Sequence, residues 1–94
     1  MSQIDITRRH ALSPERTREV IEHIADSLQR KFDVIPRWDG DTLHFARSGV
    51  DGFIATQGNE VRVHARLGML LTPLKPMVEA EIRSKLDEYF PAAG

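Results

Sequence analysis

The order of apolar and polar residues predicts a short strand near the start of the chain. Ile4 and Ile6 alternate with polar residues, which is the period of a half-buried strand, and the alternation extends over residues 3–9. The next stretch changes to a spacing of three to four between apolar side chains, from Val20 to Phe32, which is typical of an amphipathic helix. We therefore expect a strand followed by a helix.

The residues around Ser13 mark where this helix begins. Ser13 followed by Pro14 combines an N-cap hydroxyl with a proline at the first helical position. Glu15 then places a negative charge at the positive end of the helix dipole. We expect the helix to begin at Pro14 and to end near Phe32 or Asp33.

Four short runs rich in β-branched and aromatic residues follow, and within them the period falls to two. Each boundary between runs contains a glycine, which tolerates the positive φ of a tight hairpin turn. The pattern therefore predicts a four-stranded antiparallel meander. Its turns are expected at Asp39-Gly40, at Ser48-Gly49 and at residues 57–59.

The predicted sheet has one apolar and one polar face. Pro36 has no N–H to donate to a ladder, so we expect its strand at an edge of the sheet or at an irregularity. The inward positions are apolar: Leu43, Phe45, Val50, Ile54, Val61, Val63, Ala65 and Leu67.

The last segment predicts a second amphipathic helix that begins at Pro76. Val78 and Ile82 begin a row of apolar residues at helical spacing, which is expected to face the core. Glu81 and Lys85 lie four residues apart in the favoured polarity, which predicts an ion pair within the helix.

These elements predict an α+β fold in the order β-α-β-β-β-β-α, with an antiparallel sheet of about five strands and two helices packed on one face. A chain of 94 residues is expected to form one domain, residues 1–94, with one modest core. We expect the last few residues, from Ala92 to Gly94, to form a flexible tail.

Composition narrows the environment. A net charge of -1 and 29% charged residues are typical of a soluble globular protein and give no global field to attract nucleic acid. The absence of cysteine fits a reducing compartment, so we expect a cytoplasmic location. The first residues lack an export signal, and the longest apolar stretch is too short to span a membrane.

That longest apolar stretch is LGMLLTPLKP, residues 67–76. Burying each of its five Leu and Met side chains is worth roughly 1.5 to 3 kcal/mol, so a small domain is expected to bury most of them. We expect the exceptions at the bend between strand and helix, where exposure would indicate a binding surface. The candidate residues for that surface are Met69, Leu70 and Leu71.

A weaker candidate lies on the polar face of the sheet. His44, Arg62, His64 and Arg66 alternate with the inward residues and suggest an anion or phosphate site, although a solvated face explains them as well. Trp38 and Phe53 could stack on bases, but no basic stripe surrounds them, so we do not expect nucleic-acid binding.

Neither a metal site nor a catalytic site is expected. The four histidines have none of the short pair spacings of metal ligands, and a site would need His44 and His64 to converge with a carboxylate. The glycines of RSGVDGF, residues 47–53, resemble a turn and a strand kink more than a phosphate loop. We therefore predict a non-enzyme without a cofactor.

Three stretches resemble one family: IDITRRHALS at residues 4–13, RWDGDTLHFARSGVDGFI at 37–54, and VRVHARLGMLLTPLKPMVEAEIRSKLDEYF at 61–90. They are similar to the small bacterial proteins of the polyhydroxyalkanoic acid system family. The resemblance covers nearly the whole chain and is a dispersed pattern rather than a catalytic signature. It implies an accessory protein associated with polyhydroxyalkanoate granules, and it assigns no catalytic residues.

The leading hypothesis is therefore a non-catalytic protein of polyhydroxyalkanoate storage that binds a granule surface or a granule protein through Met69, Leu70 and Leu71. The alternative is a small module that holds an acyl or hydroxyacyl ligand between sheet and helices, as helix-grip folds do. A cavity of several hundred Å3 would favour that alternative. A homodimer is compatible with either hypothesis.

Overall fold

The computed structural model describes residues 2–90, whose elements follow the predicted order and confirm the α+β fold. The predicted tail at Ala92 to Gly94 lies outside the described residues. The strands are β1 (Ser2–Arg9), β2 (Ile35–Asp39), β3 (Thr42–Arg47), β4 (Val50–Gln57) and β5 (Glu60–Leu67). The helices are α1 (Pro14–Phe32), a 3₁₀ helix (Met69–Leu74) and, directly after it, α2 (Lys75–Tyr89).

The five strands form one antiparallel sheet in the order β1-β5-β4-β3-β2. β2, which contains Pro36, lies at one edge, as the missing N–H of proline predicts. β1 forms the other edge and pairs with β5 over its full length, from Ser2 opposite Leu67 to Arg9 opposite Glu60. The first strand of the chain therefore completes the sheet beside the last one.

One hairpin turn lies one residue later than the sequence predicts, and the other two lie where the sequence predicts them. Asp39 remains in β2 and pairs with Thr42, so the turn consists of Gly40 and Asp41. Gly40 has a φ of +63°, and Gly58 at the β4–β5 turn has a φ of +62°. Glycine with positive φ at the first central position is typical of a type II′ turn, which follows the twist of the strands. Glycine is thus the first of the two turn residues at both Gly40 and Gly58.

α1 begins and ends where the sequence predicts, and both of its ends are capped. The Ser13 hydroxyl accepts a hydrogen bond from the Arg16 N–H at 3.2 Å. At the other end Asp33 takes the left-handed conformation, with a φ of 60°, and its N–H donates to the Gln29 carbonyl at 2.9 Å. These contacts satisfy backbone groups that the helix itself leaves unpaired.

α1 and α2 both cover the same face of the sheet, and the core lies between them and β1, β5, β4 and β3. The predicted inward residues of the strands are all buried. The largest fully buried side chains are Phe45, Phe90, Ile4, Ile21, Ile24, Leu28, Ile54, Leu67, Ile82, Leu86, Val20 and Val34.

The predicted pair between Glu81 and Lys85 is wrong. Glu81 instead accepts a hydrogen bond from Lys31 Nζ at 2.7 Å and another from the buried Ser27 hydroxyl, so it joins α2 to α1. Lys85 lies 3.6 Å from Glu88. The hydrogen bonds from Lys31 and Ser27 lower the pKa of Glu81. Glu81 faces α1, and this tertiary contact outweighs the local spacing rule.

No helix within residues 2–90 has the length and apolar character needed to cross a membrane.

Candidate functional site

The bend between β5 and α2 is fixed by contacts with the β3–β4 turn. The Gly68 N–H donates to the Gly49 carbonyl at 2.7 Å, and the Leu71 N–H donates to the Gly68 carbonyl at 3.0 Å. Leu71 packs so closely on this turn that a Cβ placed on Gly49 would lie 2.8 Å from Leu71 Cδ1. Leu71 is therefore half-buried against the core.

Three apolar residues of the 3₁₀ helix and α2 are instead exposed to solvent. The exposed fraction is 79% for Met69, 92% for Leu70 and 60% for Met77. Exposed positions recur at helical spacing from the 3₁₀ helix into α2, and the first six carry no charge. We call these six residues the apolar stripe: Met69, Leu70, Pro73, Pro76, Met77 and Ala80.

The apolar stripe is the exposed side of a helical segment whose other side packs on the core. Beyond it the same side of α2 becomes polar, at Arg83, Ser84 and Asp87. Single exposed apolar residues are common on proteins, whereas a contiguous row indicates a contact surface. Of the three candidates from the sequence, Met69 and Leu70 belong to the stripe. Leu71 does not, because it is half-buried and packs against the core.

The polar sheet face contains one row of side chains across the strands. The register places His44 beside Phe53, Phe53 beside His64 and His64 beside Asp5. The Phe53 ring centroid lies 6.4 Å from that of His44 and 5.3 Å from that of His64. Arg62 lies 5.9 Å from the Phe53 centroid. Phe53 thus lies at the centre of this face, on the side of β4 opposite to Val50 and Ile54.

The arginines of this face are engaged with carboxylates. Arg62 donates to both oxygens of Asp5, at 3.0 and 2.7 Å, and this contact lowers the pKa of Asp5 and raises that of Arg62. Arg66 lies 3.8 Å from Asp51. Two of the predicted anion-binding residues therefore already have negative partners, which leaves little positive potential for phosphate or nucleic acid.

The two histidines of the face do not converge. Phe53 separates His44 from His64, so they cannot share one metal ion as the sequence hypothesis requires. His64 Nδ1 lies 3.8 Å from Asp5 Oδ2, is buried, and makes no hydrogen bond within residues 2–90. Within that part of the chain, no group of three or more His, Asp or Glu could hold a metal.

His10 is a buried histidine whose position the sequence did not reveal. Its Nδ1 accepts the Leu12 N–H at 3.2 Å, and its ring lies 5.0 Å from that of Phe90. Burial lowers the pKa of His10. Because it follows β1 and precedes the α1 cap, its sequence context resembles an ordinary exposed loop, and its burial follows from tertiary contacts such as that with Phe90.

A cleft of about 470 Å3 opens between the first turns of α1 and the ends of the β2–β3 and β4–β5 hairpins. Leu12, Ile21 and Trp38 form its apolar wall. The Arg18 guanidinium lies 3.8 Å from the Trp38 ring centroid, in a cation–π contact. The helix-grip alternative requires a cavity between helices and sheet, whereas this cleft is lined partly by the exposed residues Glu15, Arg18 and Asp41.

A five-stranded antiparallel sheet with two helices on one face defines a small α+β protein, and the apolar stripe is exposed beside that sheet. The chain belongs to the family described as "Putative polyhydroxyalkanoic acid system protein", whose model matches residues 4–90. This match confirms the resemblance of the three quoted stretches. The comparisons found no match among curated proteins and none among solved structures.

Proposed function

We propose that this protein is a non-catalytic accessory factor of polyhydroxyalkanoate storage that binds the hydrophobic surface of the polyester granule through the apolar stripe. The observation that carries the proposal is the exposure of Met69, Leu70 and Met77 on one side of a helical segment. The family description, which names the polyhydroxyalkanoic acid system, supplies the chemistry of the partner. We expect the protein to act in the cytoplasm.

The apolar stripe is suited to a broad, featureless apolar surface. Its backbone is held by the Gly49 contacts and by Leu71, so binding requires little ordering of the chain. Its side chains include two methionines, which adapt to irregular surfaces because their thioether chains are flexible. A polyester surface offers methyl and methylene groups without a fixed pattern, and such a stripe can adapt to it.

The size of the effect follows from the side chains involved. Transferring a Leu or Met side chain from water to an apolar environment is worth about 1.5 to 3 kcal/mol. Met69 and Leu70 together therefore contribute up to roughly 3 to 6 kcal/mol of binding free energy if the surface covers them fully. Partial coverage reduces this figure, but even 1.4 kcal/mol is a tenfold change in affinity.

Co-sedimentation with protein-free polyhydroxyalkanoate particles tests the proposal. We expect Met69→Gln with Leu70→Gln to weaken the affinity for the particles at least tenfold without altering the unfolding curve, because both side chains are exposed. The glutamine pair adds no charge, so electrostatic repulsion from the particles does not contribute to the loss.

Ile35→Gln provides the matched control. Ile35 is an exposed apolar residue, 69% accessible, on the edge strand β2 and outside the stripe. It should bind the particles as well as the wild type does. Equal binding of the wild type and the glutamine pair, or an equal loss in Ile35→Gln, would contradict the proposal. If the wild type binds only granules that retain their proteins, the partner is a granule protein and not the polymer.

A further inference from the structure

The outer edge of β1 pairs with no other strand of residues 2–90. β1 is the last strand of the sheet, extends over 8 residues and contains no proline, glycine or bulge. The opposite edge strand, β2, has 5 residues and contains Pro36. Proteins usually shorten, interrupt or charge an exposed edge, because its free N–H and C=O groups pair with other strands. We propose that β1 pairs antiparallel with β1 of a second copy, which joins the two sheets into one.

The backbone hydrogen bonds show which residues of β1 face its outer edge. Arg9 lies opposite Glu60, and the N–H of the next residue, His10, donates to the Asn59 carbonyl at 2.8 Å. In an antiparallel pair, successive residues alternate between bonding to the neighbouring strand and pointing away from it. The residues whose N–H and C=O groups point to the outer edge are therefore Gln3, Asp5, Thr7 and Arg9.

The charges of β1 select one register for this pairing. A twofold axis perpendicular to the sheet relates the two copies, so one residue of β1 lies opposite itself. A register centred on Asp5 or on Arg8 places like charges opposite each other, and one centred on Ile6 pairs no opposite charges. A register centred on Thr7 places Asp5 opposite Arg9 of the second copy, twice in each dimer.

The neighbouring strand extends this charge pattern. Glu60 lies opposite Arg9, with 3.7 Å between the Arg9 Nε and a carboxylate oxygen, and Arg62 donates to both oxygens of Asp5. In the dimer, Arg9 therefore lies between two carboxylates, and Asp5 lies between two guanidinium groups. The charges alternate in sign across the boundary and sum to zero, so the two edges are complementary to each other.

α2 adds a second contact to the same interface. It runs along β1, since the Ser2 hydroxyl lies 3.4 Å from the Thr72 hydroxyl at one end and Arg8 donates to Asp87 at 2.6 Å at the other. Asp87 is thus level with Arg8, one residue beyond the twofold axis. Arg83 precedes Asp87 by about 6 Å along the helix, which brings it level with Asp87 of the second copy.

The pairing also turns both apolar stripes to one side. The twofold axis is perpendicular to the sheet, so the helices of both copies lie on the same face. A consequence, which alone rests on the proposed function, is that a flat granule surface can contact both stripes at once. The second contact then forms at a high effective concentration, and the dimer should bind particles more tightly than a monomeric variant does.

Sedimentation equilibrium of the whole protein tests the pairing. We expect the average mass to rise with concentration toward twice the 10.7 kDa of one chain. Thr7→Pro removes an outward N–H and no hydrogen bond to β5, so it should weaken the dimer at least tenfold while the protein remains folded. Thr7→Val is the matched control. It keeps the N–H and a β-branched side chain, and it should dimerise as the wild type does.

A disulfide at position 7 tests the register without a proline. The chain has no cysteine, and two residues that exchange both backbone hydrogen bonds have Cα atoms about 5.5 Å apart, which a disulfide can span. Thr7→Cys should therefore form a covalent dimer on oxidation. Gln3→Cys is the control, and it should not, because the two copies of position 3 lie about 27 Å apart in this register.

The variant Met69→Gln with Leu70→Gln separates this interface from the apolar stripe, and it should dimerise as the wild type does. A wild type that is still monomeric at about 1 mM, a dimer that persists in Thr7→Pro, or faster crosslinking of Gln3→Cys than of Thr7→Cys would overturn the inference. A dimer that dissociates in the stripe variant forms through the stripe, and the β1 proposal is then wrong. A protein that dimerises through β1 but does not bind polyester particles retains this interface and loses the proposed function.

Discussion

Gly52 occupies a position in β4 where a side chain has no space. A Cβ built on it would lie 2.7 Å from Phe45 Cζ and 2.9 Å from Ala65 Cα, and it would overlap the carbonyl oxygen of His64. The Phe45 ring could move slightly, but the other two atoms belong to the backbone of β5. Gly52→Ala should therefore separate β4 from β5 in the centre of the sheet.

The expected cost follows from these contacts. Overpacking of a core typically costs about 1 to 3 kcal/mol, and two clashes with backbone place Gly52→Ala in the upper part of this range. Alanine regains about 0.4 to 1 kcal/mol by restricting the unfolded chain. The net loss is about 1 to 2 kcal/mol, which lowers the Tm of a domain of this size by roughly 4 to 16 °C.

Gly68→Ala is the comparison for this prediction. Gly68 has ordinary backbone angles, φ -68° and ψ 169°, and the nearest atom to an added Cβ is the Gly49 carbonyl oxygen at 3.5 Å. Gly68→Ala should change the free energy of unfolding of the protein by less than about 1 kcal/mol, because alanine fits both the space and the backbone angles at this position. Urea unfolding of both variants gives the two free energies. An equal loss of stability in both variants would contradict the explanation that the contacts of Gly52 with Phe45 and β5 leave no space for a Cβ.

Two further predictions concern groups with shifted pKa values. Glu81→Gln should lower the free energy of unfolding by about 1 to 2 kcal/mol at pH 7, because the charge-assisted bond from Lys31 is lost, and its partial exposure limits the effect. Because the pKa of Glu81 in the folded protein is lowered from 4.5, the stabilisation by Glu81 should begin to decrease below about pH 4.5 and be lost as the carboxylate becomes protonated in the folded state. The free energies of unfolding of wild type and variant, measured by urea titration, should therefore converge at low pH. A constant difference down to about pH 2 would contradict this prediction. Burial lowers the pKa of His10 from 6.5, so the unfolded chain takes up a proton there before the folded chain does, and stability should fall as the pH drops from 7 to 5. His10→Gln should flatten this part of the curve, and an unchanged slope would assign it to another group.

The fold could be predicted from the sequence because each element has a strong local signal. The periods of two and 3.6, the Ser13 cap and the missing N–H of Pro36 all act within a few residues, and the structure agrees with each of them. The hairpin turn at Gly40 was placed one residue too early, since the sequence DGD allows either aspartate to accompany the glycine. Only the pairing of Asp39 with Thr42 decides between them.

The candidate site depended on contacts between distant residues, which no local pattern encodes. Leu71 and Leu70 are adjacent leucines, yet one packs on Gly49 and the other is 92% exposed, because the β3–β4 turn fills only one side of the bend. Likewise, Glu81 binds Lys31 of the other helix instead of its local partner. The sequence identified the exposed segment, and the structure assigned the individual side chains.

The central claim is that the apolar stripe itself lies against the polyester, and a polarity-sensitive dye at position 70 tests it most directly. The chain has no cysteine, so Leu70→Cys provides a single labelling site. In a second variant, Gln57→Cys provides a control site at the end of β4 that lies away from Leu67 and the bend. On addition of protein-free polyhydroxyalkanoate particles, the dye at position 70 should shift to shorter wavelength and become protected from an aqueous quencher. The dye at position 57 should remain exposed to water. A dye at position 70 that stays in water while the protein sediments with the particles would contradict the account.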